Sequence, residues 1–171
     1  MDNAEIHSIL HTLGEHISTS TRLYLIGGSA LALLGSQRLT IDIDFIGDDI
    51  SPSEAHKSIL QTAKELKIFL EPVALEKFIP LPHGSDKRNI RIGQFGKLEI
   101  FVADPHSIAL SKLDRGFDTD LDDIVFLIQH KYIEIGQLKQ ITEIALSRAR
   151  EFDINSDEML AHLKVVEERL G

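Results

Sequence analysis

Apolar residues recur along the chain with two different periods. Ile6, Ile9, Leu10, Leu13 and Ile17 are spaced by three and four, which predicts an amphipathic helix over residues 3–17. Residues 22–26, RLYLI, then read as a short buried strand. Gly27 and Gly28 break it, and SALALLG has the alanine and leucine content of a short helix ending at Gly35. LTIDIDFI alternates from Thr40 to Ile46 as a second strand, and a helix follows from Ser51 or Ser53, with Pro52 suited to its first turn. From Val73 to Val102 the pattern is that of β structure: LEKFIPL, the turn cluster PHGSD, RNIRIG, the turn QFG and KLEIFV. Beyond Asp104 the spacing is helical, with helices expected near 105–115, 119–131, 134–150 and 156–169 and with Gly116, Gly136 and DINSD as punctuation. These patterns predict an α+β fold: a mixed β-sheet with flanking helices over residues 1–104, followed by a helical region over 105–171.

Composition narrows the chemistry. A chain of 171 residues, 43% hydrophobic and 26% charged, can build a core without staples. With no cysteine it has neither a disulfide framework nor a thiolate site, which fits a reducing compartment. The opening MDNAEIHSIL lacks the apolar stretch of a secretion signal, and YLIGGSALALLG is shorter than the roughly 20 residues that span a bilayer, so a cytoplasmic protein without a membrane partner is expected. The formal charge of −9 argues against bulk nucleic-acid binding. Residues 87–97, KRNIRIGQFGK, carry Lys87, Arg88, Arg91 and Lys97 without an acid, and read as either a solvated hairpin or a local polyanion contact.

The TIDID segment holds the candidate chemistry. Side chains alternate along a strand, so Thr40, Asp42 and Asp44 share one face while Ile41, Ile43 and Phe45 take the other. The two carboxylates then sit about 7 Å apart at their Cα atoms, and each raises the cost of ionising its neighbour unless a cation lies between them. Oxygen ligands of this kind suit Mg²⁺. Glu99 in KLEIFV would complete a three-carboxylate cluster if its strand pairs beside the Asp42 strand, and such a cluster can hold two metal ions. The turn Gly27-Gly28-Ser29 lets the backbone approach a ligand closely, and Ser29 offers a hydroxyl to a phosphate. No G-x-G-x-x-G or G-K-[ST] pattern is present, so neither a Rossmann nor a P-loop site is expected.

A glycine-serine turn opening a short helix, a D-x-D strand and one acid on a later strand resemble the nucleotidyltransferase superfamily that includes DNA polymerase β. Within it, the chain is similar to AbiEii-type bacterial proteins, whose motif G-G-[ST]-A-L, then R-x-[ST]-x-D-I-D, is matched by Gly27, Gly28, Ser29, Ala30, Leu31, Arg38, Thr40, Asp42, Ile43 and Asp44. A lysine helix followed by D-x-x-D is matched by Lys112, Asp120 and Asp123. The resemblance implies transfer of a nucleoside monophosphate from an NTP to a hydroxyl of a tRNA, a protein or a small molecule. It implies Asp42, Asp44 and Glu99 as catalytic metal ligands, with two Mg²⁺ ions or Mn²⁺ in their place. It places Gly27, Gly28, Ser29, Arg38, Thr40 and Lys112 at the nucleotide, and it implies an antitoxin as a partner. The competing expectation is an inactive nucleotide-binding or regulatory module of the same fold.

Other features add little. His7 and His11 are four apart on the first helix, but no H-E-x-x-H pattern accompanies them, and ordinary surface histidines are the simpler reading. The serines lack a G-x-S-x-G elbow. The GDD at 47–49 reads as a solvated loop, and Phe78, Phe95, Phe101 and Phe126 as core residues.

Overall fold

The alternation in RLYLI and TIDIDFI is realised in a five-stranded mixed sheet, seen in a computed structural model that describes residues 1–171. The strands are β1 (Thr21–Ile26), β2 (Ile43–Ile46), β3 (Leu70–Val73), β4 (Ile90–Phe95) and β5 (Leu98–Val102), in the spatial order β3-β2-β1-β5-β4. β1 pairs antiparallel to β2 and parallel to β5, β2 parallel to β3, and β4 antiparallel to β5. One face of this sheet is wholly apolar: Leu23, Leu25, Ile43, Phe45, Leu98, Ile100 and Val102 have no exposed surface. Helix α1 (Asn3–His16) contributes Ile6, Leu10 and Leu13 to the same core, and its first turn is closed by a reciprocal cap between Asp2 and Glu5. Helix α2 (Gly27–Leu33) follows β1 without a connecting loop, and α3 (Glu54–Glu65), capped by Ser53, connects the parallel strands β2 and β3.

The chain forms two compact units. One comprises residues 1–74 and 89–103 and holds the sheet; the other comprises 75–88 and 104–171. The second is helical: α4 (Pro105–Arg115), α5 (Asp118–Gln129), α6 (Ile135–Ser147), the single turn α7 (Ala149–Phe152) and α8 (Ser156–Leu170). Its core is built from Ile108, Leu113, Ile124, Leu127, Leu138, Met159 and Val166. No helix is long and apolar enough to cross a membrane.

Three expectations are corrected. LEKFIPL is not a strand: Leu75–Lys77 form a 3-10 turn, and Leu75 and Ile79 are buried while Lys77 between them is exposed, which breaks the two-residue alternation of a strand, and the Ile79 N–H donates to the Leu75 carbonyl. The strand lies earlier, at β3. The D-x-D strand is also shorter than its pattern, because pairing begins at Ile43 and leaves Ile41 83% exposed. Phe78, expected in the core, is 55% exposed on this irregular stretch, whereas Phe95 is buried as expected.

Candidate metal and nucleotide site

The shortening of β2 places its two aspartates differently. Asp44 lies within the strand, opposite Ile26 of β1 on one side and Glu71 of β3 on the other, while Asp42 lies just before it, after the bend at Ile41. Carboxylate oxygens of Asp42, Asp44 and Glu71 all lie within 4.8 Å of one another, the first two half-buried and the third exposed. Three hard oxygen donors converging in this way suit a divalent cation such as Mg²⁺ and answer the repulsion among them.

Glu99 does not join this cluster. β1 intervenes between β2 and β5, and Glu99 is in register with Arg22, four residues down β1 from the Ile26 that faces Asp44. Four residues along and two strands across is roughly 16 Å at the Cα atoms. Its carboxylate is bound instead to Arg22 at 2.6 Å and Arg91 at 3.4 Å. The acid that stands beside the aspartates is Glu71, which the sequence pattern missed. A signal for it existed: β2, α3 and β3 form a strand-helix-strand unit, whose two strands by default lie side by side and parallel.

The glycine turn closes onto the same carboxylates. Gly27 has φ +69°, in the region that favours glycine, and a Cβ there would lie 2.8 Å from Asp44 Oδ2. At Gly28 a Cβ would meet Thr40 Oγ1 at 2.9 Å and come within 3.8 Å of the Arg38 guanidinium carbon. The Thr40 hydroxyl in turn donates to the Asp42 carbonyl at 3.2 Å and lies 3.4 Å from its Oδ1. Gly27, Gly28, Arg38, Thr40, Asp42 and Asp44 are therefore brought together as the motif spacing implied. Ser29 is buried, and its hydroxyl donates to the Ile26 carbonyl at 3.3 Å, so its side chain is engaged with the end of β1 rather than presented to a ligand.

Lys112 belongs to a different arrangement, inside the helical unit. It is 4% exposed and donates to Asp120 at 3.2 Å and Asp123 at 2.7 Å. Arg115 also donates to Asp120, through two bonds of 2.8 and 3.1 Å. Burial by itself would raise the Asp120 pKa, but these cations outweigh it and hold the carboxyl below its ordinary range. Lys112 is thus neither solvated nor extended toward a ligand, but neutralises buried acids at the α4–α5 contact. Three of the four cations of the 87–97 stretch have partners of their own: Arg88 holds Asp104, Arg91 holds Glu99, and Lys97 donates to the Ser18 carbonyl. His7 and His11 pack on the Phe95 ring.

A mixed sheet whose glycine turn closes onto a carboxylate pair is the construction of the nucleotidyltransferase class. Residues 4–169 match the model of a family described as "Nucleotidyltransferase of unknown function (DUF6036)", and the chain belongs to that family. No curated protein and no solved structure gives a significant match.

Proposed function

We propose that the chain is an active, Mg²⁺-dependent nucleotidyltransferase whose metal ligands are Asp42, Asp44 and Glu71. The observation that carries this reading is the convergence of the three carboxylates within 4.8 Å, with the Gly27 backbone against Asp44. When bound there, Mg²⁺ would neutralise charge on the carboxylates and on the triphosphate. In the reaction, the acceptor hydroxyl oxygen bonds to the α-phosphorus of an NTP, the bond from that phosphorus to the bridging oxygen breaks, and pyrophosphate leaves with the electron pair. The hydroxyl proton passes to solvent by way of the exposed Glu71 carboxylate. Gly27 and Gly28, lacking side chains, leave room for the Asp44 carboxylate and the Thr40 hydroxyl against the turn that would face the triphosphate, and Arg38 beside Gly28 supplies positive charge to it. Thr40 holds Asp42 in orientation. Positioning and electrostatics supply most of the rate in transfers of this kind.

The test is transfer of label from NTPs to components of a cell extract. Asp44→Asn should abolish it with an unchanged circular dichroism spectrum, and Glu71→Gln should reduce it by roughly 100-fold or more. Glu99→Gln, which loses only partly exposed ion pairs, should stay within about threefold of the parent. Full activity of Asp44→Asn would remove the assignment, and a loss on Glu99→Gln larger than on Glu71→Gln would restore the original third acid.

A further inference from the structure

The helical unit contains a cavity of about 460 Å³, between the 80–88 segment, the start of α4 and the length of α6. We propose that it binds a small organic anion, an acidic head group on an apolar body. This inference is independent of the nucleotidyltransferase reading, since none of the residues that form the cavity belongs to the sheet unit.

The floor and sides are apolar: Pro82 and Leu81 from the irregular segment, Leu110 from α4, and Ile141 and Ile144 from α6. Two of these, Leu81 at 43% and Ile144 at 60%, are large hydrophobic side chains left open to solvent at the cavity. The polar lining is cationic or amide, from Arg88, Arg148, His83, His106, Gln137 and Gln140, and no acidic residue lines the cavity on a chain of net charge −9. A volume of this size lies within the range of small-molecule sites, which combine apolar walls with a few fixed polar groups.

The cations are held in place from beneath. Asp104, whose side chain is 2% exposed, takes Arg88 in a two-bond fork, Nε and Nη2 both at 2.9 Å. Arg88 Nη1 donates to the His83 carbonyl at 2.7 Å, which leaves one N–H on each terminal nitrogen for a ligand. A guanidinium fixed so leaves little ordering to be done when a planar anion arrives.

His106 adds charge for a geometric reason. Its Nδ1 lies 3.1 Å from Asp104 Oδ1 and its Nε2 3.1 Å from Gln137 Oε1. The Gln137 atom is identified as oxygen because the Glu134 backbone N–H donates to it at 3.3 Å. Both partners of the ring therefore accept, both ring nitrogens must donate, and the imidazole is satisfied only as imidazolium. Arg88 and His106 share Asp104, Asp86 also acts on Arg88, and Arg148 is paired with Glu151, so what the cavity presents to a ligand is a set of donors held in place by acids that do not line it. The Gln137 carbonyl oxygen is taken by two donors, so its amide N–H₂ is the group it can offer. The donors of the lining, which contains no acid, and the apolar floor agree on one class of occupant.

The experiment uses the full chain, with binding of benzoate, phenyl phosphate and inorganic phosphate followed by calorimetry and thermal shift. Benzoate or phenyl phosphate should bind saturably and raise the melting temperature, and the stronger of the two identifies the head group. Inorganic phosphate should do neither at the same concentration, because it leaves the apolar floor unfilled. Ile144→Glu, a change at an exposed position, should weaken the organic anion by at least about tenfold through like charge, and Arg88→Gln should abolish binding. Because Arg88→Gln also strips a buried carboxylate of its partner, Ile144→Glu in a chain with parental circular dichroism is the deciding variant. The proposal is overturned if neither organic anion binds, if inorganic phosphate binds as well as they do, or if Ile144→Glu leaves affinity unchanged.

Discussion

At Gly27 one missing methyl group separates a turn from a site. Its positive φ and the 2.8 Å that a Cβ would leave to Asp44 Oδ2 both disfavour any other residue. Gly27→Ala should cost about 1–3 kcal/mol of stability in urea unfolding, since both the left-handed backbone and the displaced carboxylate oppose it. If Mg²⁺ binds as proposed, the same variant should lose the stabilisation it gives the parent in thermal melts, because the moved carboxylate is one of the proposed ligands. The residue scale is also where the sequence misled. Parity along a strand correctly put Asp42 and Asp44 together, and it correctly put Glu99 on the sheet face that Asp44 shares. Parity carries no information on which strand lies next, and that is what separates Glu71 from Glu99.

At the scale of elements, two charge clusters tie the helices of the second unit together. Lys112 joins α4 to α5 through Asp120 and Asp123, all three nearly buried. Lys112→Met should destabilise the chain by about 3–5 kcal/mol in denaturant unfolding, because the buried Asp123 carboxylate loses its ammonium while Asp120 keeps only Arg115. Restoring neutrality with Asp123→Asn in the same chain, where Asp120 keeps Arg115, should recover much of that loss. The second cluster joins the start of α4 to the start of α6 through Asp104, His106 and Gln137.

The hydrogen bond to Asp104 raises the His106 pKa above 6.5, against burial and the Arg88 charge. Burial would raise the Asp104 pKa, but bonds from His106, Arg88 and Ser107 hold the carboxyl well below its ordinary 3.8. A raised histidine contributes stability that is fully present below pH 6.5 and is lost as pH rises through its folded value; a lowered carboxyl contributes stability that is lost as pH falls below 3.8. Between those limits both contributions are present. Melting temperatures of the parent and of His106→Gln should therefore differ most near pH 5–6 and converge toward pH 9. The comparison must be between the two chains, because His56, whose pKa burial lowers, contributes with the opposite sign.

At the scale of the whole molecule, the sheet unit is assembled from two separate stretches, 1–74 and 89–103, and the intervening 75–88 belongs to the helices. Cutting at 104, where the helical pattern begins, therefore leaves the helical fragment without Arg88 and the rest of that segment. If Mg²⁺ binds at Asp42, Asp44 and Glu71, hydrogen exchange with and without it should show added protection within the sheet unit, centred on the Gly27 turn, β2 and β3, and none in 104–171. Protection centred on Lys112 or on the 87–97 stretch would contradict the site.

The sequence by itself determined the helices and the motif half of the candidate site. Helical spacing gave α1, α3, α4, α5, α6 and α8 close to their observed limits, because each buries a stripe whose period can be read without knowing its partner. Gly27, Gly28, Arg38, Thr40, Asp42 and Asp44 were legible for a similar reason: they lie within twenty residues of chain, and turn geometry and strand parity are local. Only the tertiary structure decided the rest. Strand order put Glu71 rather than Glu99 beside the aspartates, burial set Lys112 in an ion cluster with Asp120 and Asp123, and the fold of 75–88 onto the helices made the cavity. Each of these depends on contacts between residues far apart in the chain, which no local period encodes.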